Sequence, residues 1–494
     1  MNELHNLQAG NASTQAHGVT ERKLRLDRRF LAFTLLATIL LSWPLLAFSR
    51  PSYIQDSAAY YKGGRAAVTF VMAKVQGLDV SSDGQVASAP GLPAPPPEHS
   101  AKKASGVRSI TYSVATYLLS APATTLILLT IFQALCAAIV IVATLGAFGG
   151  LPTRRTAISL VLIASATTVA PASYLAVPDI FAGLLIGAMV LLIAAWTRLS
   201  LGIRLLCTGI AAFAVTAHAS HIPLAAGMTA LGLGWVAVKR FYFHDPLPRW
   251  TWAWVVAPLL IGGMTTVAVN RVAFGETSLT SKRYPFALAR SVNDGPARWY
   301  LEKHCPELKY TICTLYPNGL PKGGALEFLW GPDGIVNVAT AEQLDRIRAE
   351  EPDIVLAAAK EYSWFEVRRI SYNIIRQLVS FRPYPYEANL VLDESGTPQL
   401  NWSRVESPVP LHVISILTAI SVALATLWLG WTFIKERELR PVIALLFLGI
   451  LGNAVTCTVL SAVAQRYQAR VIWLIPLLAL ALYGAIRDRR ATTA

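Results

Sequence analysis

The sequence predicts an all-α polytopic membrane protein of about ten transmembrane helices, with a smaller mixed domain outside the bilayer. Of its 494 residues, 54% are hydrophobic and only 15% are charged. Several uncharged runs are about twenty residues long, the length of a helix that crosses a hydrocarbon core. The net charge of +14 comes from Lys and Arg in small groups beside these runs. We interpret it as a topology signal, and we expect membrane lipids rather than nucleic acid as partners.

The first part of the chain is predicted to cross the membrane once and then to form a large outer loop. Residues 1–29 are a polar tail that ends in basic residues, so the positive-inside rule keeps it cytoplasmic. The apolar run at 30–48 is too long for a removable signal peptide and lacks a clear small-residue cleavage site. Segment 50–120 then lies outside. Within it, 56–75 and 107–120 have the mixed faces of helices that lie along the interface.

Charge alternation between loops predicts the topology of the remaining spans. Loops on one side hold groups of Lys or Arg, whereas the opposite short loops at 177–179 and 218–223 hold neither. This alternation places both termini in the cytoplasm. The transmembrane module then covers 30–272 and resumes at 410–494, which ends in a short cytoplasmic tail. The further spans are predicted near 122–148, 156–174, 180–197, 204–219, 222–239, 251–272, 410–434, 441–463 and 470–486.

The long segment 273–409 is left outside the membrane, in the same compartment as the first outer loop. Its stretch 340–380 is predicted to be helical, because apolar residues recur there at three- and four-residue spacing and give one apolar face. The positions on that face are Val367, Ile370, Ile374 and Leu378.

The five cysteines divide between the two parts of the chain. Cys136, Cys207 and Cys457 fall within predicted spans, where a cysteine is most simply a small packing residue. Cys305 and Cys313 fall in the outer domain, where an oxidising compartment permits a disulfide that closes a short loop. A metal site is the alternative, but there is no Cys-x-x-Cys pair, so the sequence favours the disulfide.

Polar residues from separate outer loops are predicted to gather at one membrane surface. An acid follows the first span, a second acid lies between spans three and four, and a histidine pair lies between spans five and six. Two arginines occupy the last outer loop, 464–470, against the charge rule, and this exception suggests a bound anion. These residues are Asp56, Asp179, His218, His221, Arg466 and Arg470.

Each of these residues also has a structural interpretation. Asp179 follows a proline and suits a helix N-cap. The histidines could be satisfied by backbone groups, and the arginines could extend to lipid phosphates. Tyr53, Tyr60 and Tyr61, on either side of Asp56, could form an interfacial aromatic belt. The joint occurrence of these residues on four of the five outer loops favours a functional site.

The chemistry that such a set supports is transfer from a lipid-linked phosphate donor. An arginine pair can hold a phosphate through charge-assisted, bidentate hydrogen bonds as it leaves. An aspartate can accept the proton of an attacking hydroxyl, which direct displacement at a sugar carbon requires. The sequence leaves open whether Asp56 and Asp179 hold a divalent metal ion such as Mg²⁺ or Mn²⁺.

This arrangement resembles the GT-C superfamily of membrane glycosyltransferases, which use polyprenyl-phosphate-linked sugars. In that superfamily a key acid lies just after span one, as Asp56 does in Pro51-Ser52-Tyr53-Ile54-Gln55-Asp56, and a second acid commonly lies in the next outer loop, as in Pro178-Asp179. A late Arg-Tyr precedes a proline in the next span, here Arg466-Tyr467 and Pro476. The resemblance involves spans one to six and the final hairpin. It departs from better-known members because Asp56 is a single acid rather than a tandem pair.

The resemblance implies a GT-C-like fold and a role for each matched residue. Asp56 is the expected catalytic base, Asp179 a second acid and Arg466 a contact to the donor phosphate. The implied activity is inverting transfer of a sugar from a lipid-linked donor to a glycan or lipid acceptor, at the outer face of a bacterial inner membrane. Segment 273–409 is then periplasmic. The further substrate contacts are expected from Tyr60, His218, His221, Tyr467 and Arg470.

Two other functions remain open from the sequence. A polysaccharide polymerase or ligase would share the outer arginines but would need an oligosaccharide or polymeric lipid donor. A transporter or flippase would place ionisable residues near the bilayer midplane, often in repeated halves. The predicted spans are nearly free of charge, which favours chemistry at the surface. Phosphate-binding motifs of the Walker or dinucleotide type do not occur in the sequence.

Overall fold

The structure is a computed structural model that describes most of the chain. The described residues are 23–76, 108–120, 125–242, 250–280, 283–305, 307–386, 388–393, 398–402 and 411–493. Most of the predicted cytoplasmic tail 1–29 lies outside these residues. The first half of the chain forms α1 (Arg28–Leu41), α2 (Trp43–Phe48), α3 (Gln55–Val75), α4 (Ile110–Leu118), α5 (Ile127–Gly149), α6 (Thr153–Ala166), α7 (Val169–Ser173), α8 (Ile180–Ala194), α9 (Leu201–Ala217), α10 (His221–Phe241) and α11 (Thr251–Phe274).

The second half contains a group of shorter helices, a two-stranded hairpin and the final spans. Residues 283–378, here called the insert, lie between α11 and the hairpin. The insert holds α12 (Phe286–Asp294), α13 (Pro296–His304), α14 (Thr311–Leu315), α15 (Ala325–Trp330), α16 (Ile335–Val338), α17 (Ala341–Glu361) and α18 (Ser363–Leu378). The antiparallel strands are β1 (Ala388–Leu392) and β2 (Pro398–Trp402). The last helices are α19 (Leu411–Lys435), α20 (Arg440–Leu460), α21 (Gln465–Ile472) and α22 (Leu474–Thr493).

Seven helical segments among the described residues are long and apolar enough to cross a membrane. They confirm a mainly helical, multi-pass membrane protein. The predicted count of about ten would also need α6, α8 and α9, which have 14, 15 and 17 residues. The seven segments are Arg28–Phe48, Ile127–Gly149, His221–Phe241, Thr251–Phe274, Leu411–Lys435, Arg437–Leu460 and Gln465–Arg490.

The bundle is organised around α8, whose residues from Ile180 to Ile193 are all buried. A helix that is hydrophobic all round belongs in the interior of a large bundle rather than at its surface. Helices α5, α9, α10, α20 and α21 pack against it. Asp179 immediately precedes α8, so the second predicted acid is held at the end of the central helix.

Two predicted spans are interrupted in the structure, and one predicted loop is helical. The first breaks at Ser42 into α1 and α2, where Pro44 at the start of α2 has no N–H to continue the helix. The span predicted at 156–174 breaks after Ala166 into α6 and α7. The last outer loop, 464–470, was predicted as a loop and is instead mostly helix α21.

The two helices predicted in the first outer loop are present as α3 and α4, and they pack against each other. A Cβ at Gly64 of α3 would collide with the carbonyl of Ser113 in α4, so the residue must be glycine for the helices to approach this closely. The paired helices place the start of α3, and therefore Asp56, beside the start of α4.

The insert has its own apolar core, which includes Leu288, Phe328, Ile347 and Ile354. Cys305 and Cys313, for which the sequence favours a disulfide, are bonded to each other in this region. Cys136, Cys207 and Cys457 are buried in the bundle.

The helical prediction for 340–380 is confirmed by α17 and α18, but the predicted apolar face is not the buried face of α18. The buried residues of α18 are Glu366, Asn373 and Gln377, whereas Val367 is 58% exposed. Periodicity detects an apolar stripe, but it does not indicate which side of a helix packs against the protein.

Candidate functional site

The loops that lead to the two acids run side by side. Ser52 donates its N–H to the carbonyl of Tyr174 at 2.8 Å, and Ala176 donates its N–H to the carbonyl of Ser52 at 2.9 Å. This short parallel bridge aligns the chain after α2 with the chain after α7. Each of these two segments continues directly into the start of a helix, with Asp56 in the first turn of α3 and Asp179 just before α8. The backbone therefore brings together two acids that are distant in sequence.

Arg466 on α21 lies between these acids. Its Nη2 is 3.6 Å from Oδ2 of Asp56, and its Nη1 is 3.5 Å from Oδ2 of Asp179. Both distances exceed those of a charge-assisted hydrogen bond. The guanidinium also lies over the ring of Tyr467 at 5.0 Å, and its side chain is 22% exposed. Arg466 is thus attracted to both carboxylates without being tightly bound to either.

Arg470, one turn further along α21, is held in a different way. It is 1% exposed and donates to Oδ1 of Asp179 at 2.9 Å and to Oδ1 of Asn453 at 2.9 and 3.2 Å. Its Nη2 also lies 3.2 Å from the sulfur of Cys457. A substrate would have to displace several of these contacts to reach it. The structure therefore places Arg470 as a support for Asp179 rather than as the exposed substrate contact that the sequence predicted.

The close packing of α21 on α8 depends on a glycine. A Cβ at Gly183 would collide with the carbonyl of Arg470 and would lie 3.0 Å from Nε1 of Trp473. Asn453 of α20 adds a second constraint, because its amide donates to the carbonyl of Tyr467 at 2.8 Å. Both features fix the backbone of α21 beside Asp179.

A third arginine, Arg108, was missed by the sequence analysis. It forms an ion pair and hydrogen bond with Asp56 and lies over the ring of Tyr60 at 5.9 Å. Arg108 is in the long predicted outer loop 50–120, which holds several other basic residues, so charge alone does not single it out as it does Arg466. Its place just before the second interfacial helix of that loop is the remaining feature that could have identified it.

Five charged side chains from the preceding paragraphs, the two acids and three arginines, are here called the bundle cluster. Together they carry an excess of positive charge. Three guanidinium groups face two carboxylates. Burial acts to raise the pKa of Asp56, but Arg108 and Arg466 outweigh it, so the pKa lies below its ordinary value. Asp56 is therefore an anion near neutral pH. The members of the bundle cluster are Asp56, Arg108, Asp179, Arg466 and Arg470.

The two histidines lie close to the cluster, with their rings 5.4 Å apart. His218 Nδ1 is 2.8 Å from Oγ of Ser220, and burial together with the charge of Arg470 lowers the pKa of His218 to about 4. His221 is fully buried, and its Nδ1 donates to the carbonyl of Ala214 at 2.7 Å. The backbone thus satisfies Nδ1 of His221, whereas its buried Nε2 has no hydrogen-bond partner among the described residues. His218 is a neutral group near neutral pH.

The tyrosines around Asp56 are buried rather than arranged as an interfacial belt. Tyr53, Tyr60 and Tyr61 are each less than a tenth exposed. Tyr60 packs edge-to-face on Tyr112 at 4.9 Å, and Tyr53 donates to the carbonyl of Thr125. Tyr60 therefore forms part of the wall beside Asp56 and Arg108.

One small cavity is lined by members of the bundle cluster, and a second cavity lies beside His218. The second is lined by His218 together with Ser109, Thr216, Asn270 and Arg283. The first is lined by both arginines of α21, and its further lining residues include Thr168, Pro171, Asp179 and Tyr384. Of these two cavities, only the one beside α21 is lined by charged groups of the bundle cluster.

The donor set around the two acids does not favour a resident metal ion. Among the described residues, no group of three or more His, Cys, Asp or Glu side chains lies close enough to hold one. The position between the carboxylates is taken by the guanidinium of Arg466, whose own charge neutralises them.

The comparisons with known proteins add no relative. Neither a family model, nor a curated protein, nor a solved structure matches this chain. The bundle cluster and its surroundings are therefore the features that bear on function.

Proposed function

We propose that this protein is a glycosyltransferase of GT-C type in a bacterial inner membrane. It transfers a sugar from a polyprenyl-phosphate donor to a glycan or lipid acceptor of the cell envelope. The observation that carries the proposal is the loosely held Arg466 between Asp56 and Asp179, in a cluster with a net positive charge. Such a cluster attracts an anion, and its carboxylate can accept a proton.

The proposed reaction is a direct displacement that inverts the sugar carbon. The acceptor hydroxyl oxygen attacks this carbon as the bond from carbon to phosphate oxygen breaks. Asp56 accepts the hydroxyl proton, and the released polyprenyl phosphate retains the electron pair. Arg466 and Arg108 stabilise the phosphate charge that develops. Because the phosphate draws these arginines away from Asp56, donor binding itself makes Asp56 a stronger base.

Asp179 and Arg470 have supporting roles in this proposal. Arg470 fixes one oxygen of Asp179 at 2.9 Å, which leaves the other oxygen directed toward Arg466. Asp179 then holds Arg466 in place electrostatically before the donor arrives. It acts on the reaction through Arg466 rather than by contact with the sugar.

The position of the charged groups supports surface chemistry over transport. Asp56 and Asp179 lie at helix starts, and His218 follows the end of α9. A transporter would favour ionisable groups near the middle of the membrane. We propose that this end of the bundle faces the periplasm together with segment 273–409, while both chain termini are cytoplasmic.

The proposal is tested in a strain that lacks the protein, by mass spectrometry of lipid-linked intermediates and envelope glycans. The strain should accumulate a polyprenyl-phosphate sugar and lose one glycan modification. Wild-type protein should restore the modification, and Asp56→Asn should not, although it reaches the membrane in equal amount. Asp353→Asn, a change at an exposed acid on α17, is the matched control. Unchanged glycans in the deletion strain would overturn the proposal.

A further inference from the structure

Helix α18 has the reverse of the pattern expected for a surface helix. Its buried side is polar and forms hydrogen bonds with other elements of the protein, although Oε2 of Glu366 has no hydrogen-bond partner among the described residues. Arg290 of α12 donates to Glu366 at 2.6 Å, and Asn373 donates to Asp294 at 3.3 Å. Near the helix end, Gln377 both donates to and accepts from the backbone of Ala464, at 2.9 Å in each case.

The opposite side of α18 is an apolar stripe that is exposed within the chain. Trp364 is 78% exposed and Ile375 is 66% exposed. The stripe residues recur at the spacing of one helix face, on the side away from Glu366 and Gln377. An exposed apolar face of this kind requires a partner that is itself apolar. The residues of the stripe are Trp364, Val367, Tyr372, Ile375 and Val379.

Basic residues accompany the stripe. Arg368 and Arg376 are exposed on α18. The single acid of this helix, Glu366, is buried against Arg290. The outward surface of α18 is therefore both apolar and positively charged. This combination is typical of helices that lie in an interface with anionic lipids, with arginine heads at the phosphate level.

The location of α18 matches that environment. It packs against the membrane-spanning helix α20 and against α21. Its contact with Ala464 lies just past the end of α20 at Leu460, where the chain leaves that span. A helix attached at this level lies near the boundary between hydrocarbon and headgroups.

We infer that α18 is a membrane-surface helix whose apolar stripe is inserted into the lipid interface and whose arginines bind anionic lipid phosphates. Through Gln377 and Ala464, this helix anchors the start of α21, which carries Arg466. The inference rests on the multi-pass membrane fold and not on the proposed glycosyl transfer, so either can fail without the other.

The test uses two variants, Val367→Cys and Ile375→Cys, each labelled with NBD at the introduced cysteine. They are reconstituted in nanodiscs that contain phosphatidylglycerol and doxyl-labelled lipid. The native cysteines are buried or disulfide-bonded, which limits background labelling. Both labels should emit as in an apolar environment and be strongly quenched by shallow doxyl groups. Glu342→Cys, on the exposed start of α17, is the matched control and should emit as in water without quenching.

A second measurement tests the role of the arginines. The double variant Arg368→Gln/Arg376→Gln should retain fewer phosphatidylglycerol molecules in native mass spectrometry, whereas Arg346→Gln on α17 should retain as many as wild type. Water-like emission and no quenching at both stripe positions would overturn the inference. Protection of these positions that is present in lipid-free micelles and lost on dilution would also overturn it, because the stripe would then face a second copy of the chain.

Discussion

Among the described residues, two clusters of arginines and carboxylates differ in charge balance and in whether one arginine is left loosely held. In the insert, Arg290, Asp294, Glu366 and Arg369 form a balanced set, and Arg290 contacts Glu366 at 2.6 Å. In the bundle cluster, three arginines face two acids, and Arg466 remains 3.5 Å or more from both. A balanced cluster, in which each buried acid is paired with an arginine, fastens helices together. An unbalanced cluster with a loosely held arginine can take up an anion.

Arg470→Ala is expected to have the largest effect on stability. It would leave Asp179 and Asn453 buried without their partner, and breaking a buried ion pair typically costs about 3–5 kcal/mol. Thermal unfolding in detergent micelles should show a large decrease in midpoint or no folded protein. A variant that unfolds as wild type does would contradict the supporting role of Arg470.

Glu366→Gln in the insert is expected to destabilise the protein by a smaller amount, since the amide keeps some of the hydrogen bonding. It removes the charge that compensates Arg290, and the cost should be about 1–3 kcal/mol. Transfer activity per folded molecule should stay at the wild-type level. A loss of transfer with unchanged stability would instead indicate that Glu366 and its partners in the insert belong to the functional site.

Arg466→Ala is expected to leave stability almost unchanged and to raise the KM for the lipid donor by about 10- to 100-fold. The estimate follows from loss of a hydrogen bond to a charged group, which contributes about 1.5–3 kcal/mol. Steady-state kinetics with varied donor measure it, and Arg346→Ala on the exposed side of α17 is the control. An unchanged KM would remove Arg466 from the donor site.

Arg108→Gln should lower the transfer rate, because a contact to the developing phosphate charge is lost, and it should also shift the acid limb of the pH profile. Arg108 helps to hold the pKa of Asp56 below its ordinary value. Without this charge the pKa rises, so Asp56 becomes protonated, and inactive as a base, at a higher pH than in wild type. The acid limb of the profile of kcat/KM against pH should therefore move to higher pH. An acid limb at the same pH as in wild type would show that Arg108 does not influence the pKa of Asp56.

The sequence predicted a multi-pass helical bundle and placed Asp56 and Arg466 at the same membrane surface, because these follow from length, hydropathy and charge alternation. The sequence did not predict the contacts that hold the site in place, and the reasons are physical. Asn453 is a single polar residue in an apolar helix, and its partner lies on another helix. The parallel bridge at Ser52 depends on backbone groups that every residue carries. The buried side of α18 is polar because Asp294 and Arg290 form hydrogen bonds with it. These two residues lie outside 340–380, so no pattern within that stretch can predict the contact.

The central claim is that Asp56 competes with the donor phosphate for Arg466 and then acts as the base. Binding of polyprenyl phosphate to purified wild-type protein and to Asp56→Asn tests it directly, with sugar transfer measured on the same preparations. The account predicts that Asp56→Asn binds the lipid phosphate more tightly, because the competing anion is gone, and transfers no sugar. Weaker phosphate binding by this variant, or retained transfer, would contradict the account.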